Sequence, residues 1–179
     1  PNCNHRGLLV ALLRGSFEFQ GQKCSAASRA YVPKSVWESI SEDLCTEIRK
    51  IKMGDARDFT NFMTAVIDKR SFNKITGYID RAKSNESSEV IVGGNYDDSI
   101  GWFIEPTIIV TEDPHSETMI EEIFGPVLTV FVYDDDKFDE VLDICDKSSP
   151  YALTGSIFAN EESDIQKAFN VLRFTAGNF

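Results

Sequence analysis

The sequence predicts an α/β domain built on one open, mainly parallel sheet flanked by helices. Three observations predict it. Short apolar runs such as Val127–Tyr133 and Thr107–Val110 have the length of buried strands. Longer segments between them carry apolar residues at helical spacing, as at Val36, Ile40, Leu44 and Ile48. The two kinds alternate along the chain, as they do where strand–helix–strand units build a parallel sheet.

The elements follow in order. Residues 7–19 read as a helix that is apolar on all sides and therefore buried. Gly21 breaks it, and residues 21–28 form a polar turn. Arg29-Ala30-Tyr31-Val32 reads as a strand stopped by Pro33. Ser35 is placed to cap a second helix, with Glu38 completing a capping box. Lys52-Met53-Gly54-Asp55 ends that helix, and residues 56–64 are loop. Asp68 starts a third helix with Phe72, Ile75 and Ile79 on one face. Residues 89–94 read as a short strand after the polar turn 84–88. Pro106 divides two extended pieces, 101–106 and 107–110. The loop 120–126 feeds the strand 127–133. Asp134-Asp135-Asp136 caps a helix over 138–145. Residues 153–159 read as an apolar strand, and 161–174 as a helix ending near Gly177. No internal repeat or Pro/Gly/Ser-rich linker divides the chain, so one domain is the economical reading.

Composition narrows the function classes. The 179 residues suffice for one domain with its own core. Lys and Arg total 18 against 29 Asp and Glu, a formal net charge of −11. A nucleic-acid surface needs clustered positive charge, so this balance argues against one. No stretch is long and apolar enough to span a bilayer, and Gly7–Leu13 is a short segment between Arg6 and Arg14. The four cysteines, Cys3, Cys24, Cys45 and Cys145, form no Cys-x-x-Cys pair. Cys45 and Cys145 stand among apolar helical neighbours and read as small buried hydrophobes. A reducing, intracellular setting fits this usage. Cys3-Asn4-His5 is half a metal site at best, because His5 and His115 are the only histidines. No metal is expected.

Cys24 is the residue with most chemical promise. It follows a helix, in a turn opened by Gly21, beside the small residues Ser25, Ala26, Ala27 and Ser28. Small neighbours let a substrate approach, and Lys23 and Arg29 would favour the reactive thiolate. A buried, inert cysteine remains the alternative on these residues alone. Neither histidine makes a Cys–His pair plausible. For Glu122 the plain reading is a solvated carboxylate, which composition favours. The sharper one has Glu122 accept from a sugar hydroxyl while Phe124 packs on a flat ring. Gly93-Gly94 reads as a turn, since no helix follows it and no phosphate-loop pattern is present. Trp102 and Phe103 read as core or interface.

Two motifs carry a family resemblance. The string Phe17-Glu18-Phe19-Gln20-Gly21-Gln22-Lys23-Cys24-Ser25-Ala26-Ala27-Ser28-Arg29 resembles the aldehyde dehydrogenase cysteine motif at every fixed position. Glu122-Ile123-Phe124-Gly125-Pro126 resembles that superfamily's Glu-x-Phe-Gly-Pro motif, 98 positions further on. Lysine before the cysteine is similar to the pyrroline-carboxylate dehydrogenase branch. So are Tyr31-Val32-Pro33, Met63–Asp68, Phe103–Thr107 and Tyr151–Gly155. The resemblance covers 11–179 and leaves 1–10 as an unmatched segment.

The resemblance implies the thiol-bearing catalytic domain of the aldehyde dehydrogenase fold. It implies NAD-dependent oxidation of L-glutamate γ-semialdehyde to glutamate, in proline degradation, through a thiohemiacetal and a thioester on Cys24. It implies that Glu122 and Phe124 bind the NAD cofactor and that Lys23 and Ser25 shape the substrate pocket. It also implies a homodimer or larger assembly for the full-length relative, mitochondrial in eukaryotes and cytoplasmic in bacteria. The family's dinucleotide-binding unit, its Glu-Leu-Gly-Gly segment and its oxyanion asparagine precede the cysteine, and none lies in these residues. The corresponding expectation is a poor catalyst when the chain is isolated. A second reading keeps the fold without the chemistry, as a structural or interaction module.

Overall fold

Asn4 opens the first helix, α1 (His5–Phe17), by accepting a hydrogen bond on its side chain from the Gly7 N–H. The architecture is that of a computed structural model describing residues 2–151 and 153–178. Pro1, Ala152 and Phe179 lie outside the described residues, Ala152 being part of the Tyr151–Gly155 motif. Residues 5–10 share α1 with 11–17. The helix is not buried all round: Leu8, Leu12, Ser16 and Phe17 face the core, while Val10 is 47% exposed. Its charged Arg14 keeps the outer face in water. The helix stops at Phe17, and a tight turn, Glu18–Gly21, follows before the Cys24 loop.

The sheet has four strands in the order β1 (Arg29–Pro33), β6 (Val127–Tyr133), β5 (Thr107–Thr111) and β2 (Ser88–Val92). β1, β6 and β5 run parallel, with Arg29 opposite Thr129 and Ile109 opposite Thr129 on the other side. β2 pairs antiparallel with β5 and carries an irregularity between Val90 and Val92. The mainly parallel sheet is therefore as expected. Successive side chains of a strand point to opposite faces, and this sorts the core in two. Ile108, Leu128 and Val130 pack with α1 and with α2 (Lys34–Arg49), among Leu12, Phe17, Ile40 and Leu44. Ile109 and Val127 pack on the other side with Phe72, Ile75 and Ile79 of α3 (Lys69–Lys83). Asp68 caps α3 by accepting from the Ser71 N–H at 2.7 Å. A small hairpin, β3 (Tyr96–Asp97) with β4 (Phe103–Ile104), sits beside α3. The short helix α4 (Glu117–Ile120) leads into the 120–126 loop, and α5 (Phe138–Lys147) packs against α6 (Glu162–Leu172).

Four further expectations are corrected. Ser35 does not cap α2. Pro33 occupies the cap position, already extended by its ring, and the Ser35 hydroxyl donates to Asp135 instead. The acidic run 134–136 gives α5 no side-chain cap; it forms a separate turn, Asp135–Lys137, with Asp135 spent on Ser35. The described residues of 153–159 are not a strand, and Thr154 alone bridges in parallel to Asn178. An apolar run becomes a strand only where a neighbour takes its backbone hydrogen bonds. Cys145 is half-buried rather than buried, whereas Cys45 is in the core. Gly93 and Gly94 do form a turn, both in the left-handed region at φ 74 and 84.

Candidate active site

The Cys24 turn is strained, and contacts from Gln20, Gln22 and Ala27 to outside segments hold it. Phe19, Gln20 and Gly21 lie consecutively in the left-handed region, at φ 56, 58 and 64. For the first two this costs roughly 1–3 kcal/mol each, and it persists only where the surroundings over-determine it. The surroundings here are specific. The Gln20 amide, buried, accepts from the Thr64 N–H at 3.1 Å and donates to the Ala65 carbonyl at 3.4 Å. The Gln22 side chain accepts from the Ile67 N–H at 3.0 Å. The Ala27 N–H returns to the Gly15 carbonyl of α1 at 2.9 Å. Cys24 then stands exposed, in a turn closed by the Ala26 N–H on the Lys23 carbonyl at 3.0 Å. Its own backbone N–H has no protein partner among the described residues.

The second motif meets the first through two glycines. A Cβ on Gly21 would lie 2.2 Å from the Gly125 carbonyl oxygen. A Cβ on Gly125 would lie 2.5 Å from Cδ1 of Ile75. The two motifs thus touch backbone to backbone, with α3 pressed behind them. Phe124, before Gly125, is again left-handed at φ 60 and is 41% exposed. Lys74 of α3 donates to the Glu122 carbonyl at 2.6 Å, which anchors the loop. The Glu122 side chain is exposed and has no hydrogen-bonding partner among the described residues.

A cleft of about 710 Å³ opens between the Cys24 turn, the 119–125 segment and residues 149–151 and 153–159. Lys23, Cys24, Ser25, Glu122 and Phe124 all line it. Sequence reasoning named these five; the structure places them on one cleft. It corrects the electrostatics proposed for the thiol. Lys23 directs its ammonium to Glu18 at 2.9 Å, and Arg29 donates to the Met119 carbonyl at 3.1 Å. Each cation is engaged elsewhere, so neither is a dedicated thiolate partner. Sequence reasoning missed Gln20, Gln22, Arg29 as a backbone anchor, and Lys74. Gln20 and Gln22 lie in a turn with no periodicity to mark them, and the carbonyls that Arg29 and Lys74 reach are set by the tertiary fold.

The other cysteines differ in kind. Burial pushes the thiols of Cys3, Cys45 and Cys145 up from the ordinary value, in each case as the largest cause. Cys24 is the exposed one. Cys3-Asn4-His5 is accounted for structurally: Cys3 is buried, Asn4 caps α1, and His5 Nδ1 meets the Ser39 hydroxyl at 3.1 Å. Among the described residues, no group of three His, Cys, Asp or Glu could hold a metal ion, and no helix is long and apolar enough to cross a membrane.

An exposed cysteine on a strained turn, joined glycine to glycine to a Glu-x-Phe-Gly-Pro loop over a mainly parallel sheet, defines a family. The chain belongs to the aldehyde dehydrogenase family, whose family model matches residues 2–178. Among its curated relatives, delta-1-pyrroline-5-carboxylate dehydrogenase of Dictyostelium discoideum, named as mitochondrial, is 58% identical over 167 residues. That alignment covers 93% of this chain and 30% of the relative. The human protein of the same name is 49% identical over 168 residues, covering 93% of this chain and 30% of the relative. The crystal structure of the Mycobacterium tuberculosis delta-pyrroline-5-carboxylate dehydrogenase bound with NAD and cobalamin superposes with a TM-score of 0.94 at 43% identity. It is matched over 99% of this chain and 32% of its own. The chain therefore spans about a third of the length of the relatives it matches.

Proposed function

We propose that this chain carries the thiol chemistry of an NAD-dependent L-glutamate γ-semialdehyde dehydrogenase, the oxidation that yields glutamate in proline degradation. One observation carries the reading: Cys24 is exposed on the same cleft as Lys23, Ser25, Glu122 and Phe124. The names of the relatives support the substrate, and the mitochondrial names of several eukaryotic ones, those of Dictyostelium discoideum and human among them, support a mitochondrial location if the source is eukaryotic. The whole enzyme is expected to be a dimer or larger.

The residues suit these roles. The Cys24 thiolate adds to the aldehyde carbon; a C–S bond forms and the carbonyl electron pair moves to oxygen. The free Cys24 N–H is a donor for that oxyanion. Small neighbours, Ser25 and Ala26, leave the approach open. The Glu122 carboxylate can only accept when ionised, which suits a ribose hydroxyl, and the Phe124 ring suits contact with a flat heterocycle. Both are exposed at the cleft, so the residues present fit the ribose and flat-ring end of a dinucleotide. NAD, when bound, supplies the hydride acceptor that turns the thiohemiacetal into a thioester. Cys24 holds the acyl group until water releases the carboxylate and the thiol is restored. A thioester suits this, being made by a strong nucleophile and still readily hydrolysed.

The test is NADH formation from glutamate semialdehyde and NAD+, with Cys24→Ala alongside. Turnover that falls at least about 1000-fold in the variant is expected. Equal and measurable turnover in the two would remove Cys24 from the reaction, whereas no turnover in either would mean that the isolated chain lacks parts the reaction needs and would leave the role of Cys24 to be read in the whole enzyme.

A further inference from the structure

The Glu122 carboxylate has no hydrogen-bonding partner among the described residues, so its place at the cleft is set through its backbone. That backbone is clamped from outside. The helix α4 is four residues long, and the last carbonyls of a helix find no partner within it. Side chains of three other segments supply donors. Arg29, at the start of β1, donates to the Met119 carbonyl at 3.1 Å. Ser149 Oγ, in the segment after α5, donates to the Ile120 carbonyl at 2.8 Å. Lys74 of α3 donates to the Glu122 carbonyl at 2.6 Å. Arg81 stands seven residues further along α3, about 10 Å away on the same face. It holds the Glu117 carboxylate by two hydrogen bonds, at 2.8 and 3.0 Å. One face of α3 thus grips both ends of the stretch 117–122. Lys74 reaches the carbonyl of Glu122 and not its carboxylate, which stays free to accept from a ligand.

We propose that Lys74 and Ser149, with Arg29, are positioning residues that set the Glu122 carboxylate against the ribose at the nicotinamide end of the cofactor. They act through the backbone carbonyls of residues 119, 120 and 122. The clamp has strain to resist: Phe124, two residues on, is left-handed at φ 60, a conformation that persists only where its surroundings hold it. With a clamp removed, that strain relaxes and carries the carboxylate with it. The inference rests on the reading of Glu122 as the ribose acceptor.

Binding of two fragments to the full chain tests it without turnover. Nicotinamide riboside carries the cationic ring and the ribose. Nicotinamide methylated on its ring nitrogen carries the same cationic ring alone. Ligand-observed NMR titrations give the two dissociation constants, and their ratio isolates the ribose. In the wild type the riboside is expected to bind about tenfold tighter, and Glu122→Gln to remove most of that advantage. Lys74→Met and Ser149→Ala are each expected to cut the advantage about threefold, and Lys74→Arg, which keeps a charged donor, to retain it. Lys74 is exposed, so its replacement leaves the core intact. A merely structural role would weaken both fragments together and leave the ratio alone. A ratio unmoved by Lys74→Met and Ser149→Ala, yet lost in Glu122→Gln, overturns the positioning role and keeps the ribose reading. A wild-type ratio near one strikes the ribose reading instead. Amide hydrogen exchange then decides the clamp by itself. Exchange at residues 121–125 about tenfold faster in Lys74→Met is expected, and unchanged exchange overturns it.

Discussion

At Gly21 the absence of a side chain decides whether the two motifs can meet. The residue is left-handed and would place a Cβ 2.2 Å from the Gly125 carbonyl oxygen and 2.7 Å from that of Ser16. Both obstacles are backbone, so neither can rotate away. Gly21→Ala should therefore cost on the order of 2–4 kcal/mol, and a denaturant midpoint would show it. The same substitution at Gly15, where the nearest atom to an added Cβ is a methyl at 3.5 Å, should be far milder. Equal losses at the two positions would refute the close approach. The glycine in the cysteine motif was legible from the sequence as a turn. Its partner, Gly125, 104 positions away in the chain, was not, because a contact between backbones leaves no mark on composition.

At the scale of elements, the nucleophile turn depends on a segment with no regular structure. Residues 63–67 take both amide pegs, Gln20 on Thr64 and Ala65, and Gln22 on Ile67. The pegs hold a left-handed stretch that would otherwise relax. Gln20→Ala would leave the Thr64 N–H unpaired and is expected to cost about 1–3 kcal/mol. It should also broaden the environment of Cys24, seen as a changed rate of alkylation at that residue. An unchanged stability and an unchanged rate would mean the pegs are incidental. Helices were easier to read than these pegs. The stripes of α2 and α3 stand at helical spacing, and both helices exist where the stripes are. The apolar segment 153–159 misled for the opposite reason: hydrophobicity marks a strand without saying whether a neighbour pairs with it.

For the whole molecule, stability should fall at alkaline pH. Cys145 has its thiol raised by burial above the ordinary value of 9.0. Burial likewise raises Tyr31 above 10.0, and Tyr133 rises further. Above these ordinary values the unfolded chain releases protons that the folded chain keeps. The unfolded state then binds fewer protons, so unfolding becomes easier as pH rises. The contribution is fully present below pH 9 and declines above it, until the folded groups themselves ionise. Urea midpoints measured from pH 8 to about 10.5 should decrease, and Cys145→Ala should flatten the first part of that decline. A midpoint that rises over this range would contradict the upward shifts of the thiol and phenols.

What the sequence determined by itself was the alternation of strand and helix, the mainly parallel sheet and the motifs at Cys24 and Glu122, because periodicity and short motifs are local properties of the chain. The tertiary structure alone decided that Gly21 seats on Gly125, that Gln20 and Gln22 reach residues 64–67, and that Lys23 is claimed by Glu18. Those contacts join residues far apart in sequence, or five apart across a reversed turn. Their existence depends on where the sheet and α3 place the backbone, and no local pattern encodes that placement.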